Sequence, residues 1–162
     1  MLGTVEHEQL KSDLILPWVI LGIMLAMLVA TIIVCQTIGD QLQQPLPDAQ
    51  RVLIRTIFYA VAIVTFPVTN LIRYIQLRLN QTMPHSRTEH KNEAKNRYLV
   101  TVIVSLSLVE SIGVFGFVMF ILGDNFNTLY IFTGLSALGL YLYRPKADEY
   151  AQIIEALTRA KT

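Results

Sequence analysis

The chain is short of charge. Only 15% of its 162 residues are Asp, Glu, Lys or Arg, where a soluble domain of this size carries about a quarter. It has a single cysteine, Cys35, which excludes an internal disulfide framework and any cysteine-rich metal centre. Cys35 lies in an apolar stretch and is expected to be an inert buried thiol. The three histidines, His7, His85 and His90, fall outside the apolar runs, so no intramembrane histidine pair can hold haem or metal. There is no phosphate-binding loop, no Cys-x-x-Cys-His and no Ser-His-Asp set at a common depth. These absences argue against enzymatic chemistry, a resident cofactor or nucleic-acid binding.

What is present is apolar length. Hydrophobic residues make up 53% of the chain and the mean hydropathy is +0.48, which places it among polytopic membrane proteins. Residues 1–13 form a polar N-terminal segment. Four spans are expected in residues 14–143, at about 14–38, 51–72, 98–122 and 127–143. The first is expected to be a retained helix and not a signal peptide, because its leader is acidic and its apolar run is of spanning length. Ile32-Ile33-Val34 offers no small residues for lipoprotein processing at Cys35. Pro17 falls in the first turn of this span, where a missing N–H costs little.

Pro45 and Pro47 separate the first span from the second, whose Pro67 is expected to kink it and free carbonyls that Thr65 or a neighbouring helix could satisfy. Trp18, Arg55, Arg73, Tyr141 and Tyr143 occupy the expected membrane interfaces. The fourth span is about 17 residues, the low end of spanning length. Residues 144–162 are expected to form an amphipathic tail with Tyr150, Ile153, Ile154 and Leu157 on one face, for membrane surface or partner. The fold class is therefore all-α, with four transmembrane helices as two hairpins plus a C-terminal amphipathic helix.

Charge placement sets an orientation. Lys11, Arg73, Arg78, Arg87, Lys91, Lys95, Arg97, Arg144, Lys146, Arg159 and Lys161 all fall on one side, and only Arg51 and Arg55 on the other. The positive-inside rule then puts both termini in the cytoplasm. The polar segment 79–97 carries His85, Glu89, His90 and Glu93, which invites a metal-site reading. The histidines are five apart and lack helical metal-ligand spacing, so a solvated extension of the third helix is expected instead, helped by Glu93 and Arg97 at i,i+4.

The only ionisable residue of the third run is Glu110. It lies midway between Tyr98 and Leu122, about 18 Å from either end at 1.5 Å per residue. A carboxyl at that depth costs several kcal/mol on the order given by insertion scales, and so marks a functional site by default. With no cation at its depth it is expected to be neutral at pH 7. Ser107 and Ser111 on its own helix and Thr65 on the second are its candidate partners, with Ser136 a weaker one. The carboxyl either binds H⁺ or Na⁺ or acts as interhelical glue. Gly113 and Gly116, one and two turns on, permit close helix approach.

Residues 106–120, with the run Val109-Glu110-Ser111-Ile112-Gly113-Val114-Phe115-Gly116-Phe117-Val118, resemble the carboxylate helix of rotary ATPase c- and K-type proteolipids. The resemblance implies Glu110 as the ion-binding carboxyl, Ser111 as a neighbouring ligand, and H⁺ or Na⁺ as the cargo. The remainder does not match: the first helix lacks closely repeated glycines, and the carboxylate sits on the third helix and not the fourth. The expectation is a distinct small bacterial inner-membrane protein. It would be an accessory subunit of a larger membrane complex or a homo-oligomer, with ion translocation through Glu110 as the alternative.

Overall fold

The computed structural model describes residues 2–82 and 90–159, with side chains described over 12–82 and 94–156. Among the described residues there is no strand. Five helices follow in order: α1 (Leu2–Leu42), α2 (Asp48–Thr82), α3 (His90–Ile121), α4 (Phe126–Leu142) and α5 (Ala147–Arg159). Three of them, over Ser12–Leu42, Asp48–Thr82 and Ala94–Ile121, are long and apolar enough to cross a membrane, whereas α4 is a shorter apolar helix.

The helices outrun the apolar segments. Backbone hydrogen bonding continues into polar sequence beyond the apolar runs, so α1 takes in residues 2–13 and α2 runs on through Arg73 to Thr82. Pro17 is thus well inside α1 and not in its first turn. Pro67 is likewise internal to an unbroken α2. Near it, the Thr65 hydroxyl donates to the Val61 carbonyl at 2.8 Å, and Tyr143 Oη donates to the Phe66 carbonyl at 2.9 Å. The helical extension expected ahead of the third span begins at His90. His85 and Glu89 lie outside the described residues, as do the side chains of His90 and Glu93.

Helix α3 is the axis of the fold and packs on each of the other four. Its most apolar window is 44% buried, against 17% for α1 and 11% for α2. The outward faces of α1 and α2, with residues such as Ile23, Val29, Ile63 and Val64, are correspondingly bare. Helices α1 and α2 pack principally on α3 and not on each other, so the expected first hairpin is open. The closest partnership is α3 with α4. A Cβ on Gly116 would lie 2.8 Å from Phe132 Cβ and 3.2 Å from the Leu129 carbonyl, and a Cβ on Gly139 would lie 2.8 Å from Val109 Cβ.

The α1–α2 and α3–α4 connections share one end of the bundle. Gln44 N–H donates to the Ile121 carbonyl at 2.6 Å and Leu46 N–H to Leu122 at 3.1 Å. Gly123 turns the chain at φ +88°, where its hydrogen faces Pro45; Asn125 then caps α4 by accepting from Thr128 N–H at 3.2 Å. Arg55 reaches the buried Asp124 carboxylate at 3.3 Å, and Arg51 donates to the Gly123 carbonyl at 3.0 Å. Arg55, expected at a membrane interface, is thus held by protein.

Helix α5 closes the opposite, basic end. Its apolar face is used inside the chain: Tyr150 and Ile153 are fully buried in a cluster with Leu14, Ala94 and Tyr98. The tail face available to a lipid surface is reduced to that extent. Tyr150 Oη donates to Asp13 Oδ2 at 3.0 Å, and Lys95 reaches Asp13 Oδ1 at 3.3 Å. Burial first, then the hydrogen bond and negative charge of Asp13, push the Tyr150 phenol above its ordinary value. Its contribution to stability is fully present below the unfolded tyrosine pKa of about 10, and is lost as pH rises above that toward the folded value. Thermal unfolding in detergent at pH 8 and pH 11 should accordingly show a smaller alkaline loss for Tyr150→Phe than for the native chain. Equal losses would mean that the docked phenol does not govern alkaline stability.

Candidate functional site

On α3, Val109, Gly113 and Gly116 meet α4, whereas Ile112 and Met119 cluster with α2 residues such as Ala62 and Phe58. At 100° per residue, Glu110 is turned away from the α2-facing side. It lies between the strip where Gly113 meets Leu28 of α1 and the bare strip of Ile103, Ser107 and Val114. The carboxyl is half-buried. Among the described residues it forms no hydrogen bond or ion pair.

The expected partners are not assembled around it. Ser111 Oγ donates back to the Leu108 carbonyl at 2.6 Å, the back-bonding that small hydroxyls adopt within helices. Thr65 does the same on α2. Ser107 is exposed on the bare strip, and Ser136 is fully buried under Gly113 with its hydroxyl unpartnered. The reason is rotational: Thr65 belongs to a helix that meets the other side of α3, and Ser136 lies beneath the α3–α4 contact. Depth alone groups these residues, and the helix faces separate them.

A second constellation lies at the basic end. Arg73, read from the sequence as an interfacial residue, is 5% exposed. It donates to the carbonyls of Tyr143 at 2.8 Å and Arg144 at 3.3 Å, and pairs with Glu149 Oε2 at 2.6 Å. Its guanidinium also stands 5.9 Å from the centre of the Tyr143 ring. One cation thereby caps the end of α4 and holds the first turn of α5. Tyr98 adds a second tie, accepting from Lys146 N–H at 2.7 Å and donating to the Lys146 carbonyl at 3.0 Å. Asn80 links α2 to α3 through Thr101 Oγ1 at 3.0 Å. The spacing Thr69, Arg73, Gln76, Asn80 marks one polar face of α2, and that periodicity was the available signal for this seam.

Of the other residues expected at membrane interfaces, Trp18 is exposed, Tyr141 is exposed beneath Arg144 at 4.5 Å, and Tyr143 is half-buried. Cys35 is buried beside Phe120 and Leu129. No group of three His, Cys, Asp or Glu that could hold a metal occurs among the described residues. No protein-family model, curated protein or solved structure matches the chain.

Proposed function

We propose that this chain is a four-span bacterial inner-membrane protein with both termini in the cytoplasm, acting as a non-enzymatic accessory subunit of a larger membrane complex. The carrying observation is Glu110, a half-buried carboxyl without a partner among the described residues, at the border of a bare helix face. A polar group at bilayer depth stabilises contact with any helix that satisfies it. A partner seated on the Ile103, Ser107 and Val114 strip would do so. The fourth span is supported by α4 running beside α3 from Gly116 to Val109, through the same layer, with about 25 Å of length at 1.5 Å per residue.

The second reading is exchange of H⁺ or Na⁺ at Glu110, favoured by the same unpaired carboxyl and by the likeness of residues 106–120 to a proteolipid carboxylate helix. Two measurements separate the readings. Purification in mild detergent should yield a complex that survives Glu110→Gln, which still hydrogen-bonds, and is lost in Glu110→Leu. A native chain that purifies as a stable monomer without companions overturns the subunit reading. Carbodiimide labelling across pH, with and without sodium, should be slow, pH-sensitive and abolished by Glu110→Gln if the carboxyl is an ion site. No labelling at any pH, with full function in Glu110→Gln, removes that reading.

A further inference from the structure

Helix α4 ends at Leu142 while α2 continues to Thr82, and the notch this leaves is roofed by the start of α5. The cleft is about 390 Å³ and is lined by Asn70, Arg73, Leu77, Leu142, Lys146 and Glu149, among others. Its chemistry changes along its length. Leu142 continues into the bare outer face of α4, with Leu138 and Tyr141, and α2 beside it exposes Ile63, Pro67 and Tyr74. The other end carries Lys146, half-exposed, with Nζ 3.9 Å from the Glu149 carboxylate.

Three charges line the cleft, and Glu149 is already held by Arg73. The remaining balance is one positive charge, at Lys146. Asn70 lies one turn inside Arg73 on α2, exposed, and its amide has no partner among the described residues. An unpaired amide facing hydrocarbon is costly, and here it stands beside a cation and an apolar wall.

We infer that this cleft binds an acidic phospholipid, with its monoanionic phosphodiester between Lys146 and the Asn70 amide and its acyl chains along the outer faces of α2 and α4. A lining whose charges sum to one positive suits a monoanion, and the bare apolar walls suit chains that a soluble phosphate lacks. The site is separate from Glu110. It rests on the membrane-spanning reading and would serve to anchor the α4–α5 corner at the headgroup level.

The test uses the full chain in detergent, stripped of lipid, with lipid binding counted by native mass spectrometry and thermal unfolding followed in parallel. Phosphatidylglycerol should bind at least tenfold tighter than phosphatidylcholine and raise the unfolding temperature. Lys146→Gln with Asn70→Leu should abolish that preference; both positions are exposed, so the fold is retained. Arg144→Gln removes a like charge two residues away and should leave the preference intact.

Equal binding of both lipids, an unaffected double variant, or an equal loss in Arg144→Gln overturns the site, the last because it indicates general surface attraction. Saturation by glycerol 3-phosphate alone overturns a lipid in favour of a soluble anion. A chain that remains in solution without detergent would sink the membrane reading itself, whereas a detergent-dependent chain with no headgroup preference sinks only the lipid site.

Discussion

Arg73→Met is expected to destabilise the protein by about 3–5 kcal/mol, the range for breaking a buried ion pair from one side. The loss has three parts. Glu149, with a side chain 18% exposed, keeps its charge with only the more distant Lys146 ammonium, at 3.9 Å, as a partner. The carbonyls of Tyr143 and Arg144 at the end of α4 lose their donor. Helix α5 then loses its tie to α2. Arg73→Lys should recover little, since one ammonium cannot present the fork that meets two carbonyls and a carboxylate. Arg73→Met combined with Glu149→Leu should recover a substantial part of the loss, because no charge is left stranded. Chemical unfolding in micelles with a probe on α5 measures this, and native-like stability in Arg73→Met would remove Arg73 as the corner clamp.

The second large effect is at the α3–α4 contact. Gly116→Ala and Gly139→Ala should each cost about 1–3 kcal/mol, the range for overpacking a close contact. Helix propensity acts in the other direction by at most about 1 kcal/mol. Overpacking wins because the neighbours are stiff: Phe132 Cβ and the Leu129 carbonyl oppose position 116, and the branched Val109 opposes position 139. Gly113→Ala should be milder, since the atom it meets first is a terminal methyl of Leu28 that can swing aside. Gly134→Ala, with nothing within 4 Å, serves as the control and should be neutral or slightly stabilising. Unfolding midpoints of these four variants give the order directly. A Gly116→Ala chain as stable as Gly134→Ala would mean that α3 and α4 stand further apart than described.

Helix-packing small residues were readable in advance because glycine in an apolar span has few other uses, yet Gly134 shows the limit of that reading. Gly134 and Gly139 both lie on α4, and only Gly139 is under a neighbour. Sequence carries the residue type; the rotation of α4 about its axis decides which glycine is covered. The same holds at Arg73. Its place at the end of an apolar run reads as interfacial, and burial follows only once α4 ends beside it and α5 folds back over it.

By itself the sequence determined the all-helical class, the apolar segments long enough to cross a membrane and the amphipathic character of residues 147–159. Those features depend on local periodicity, backbone chemistry and length, which neighbouring residues carry whole. Tertiary structure alone decided that α3 is the central helix, that α5 spends its apolar face on Leu14, Ala94 and Tyr98, and that Thr65 and Ser136 stand apart from Glu110. A residue's depth follows from counting along one helix. Its partners depend on how several helices are rotated and packed against one another, and that is a property of pairs of segments distant in the chain.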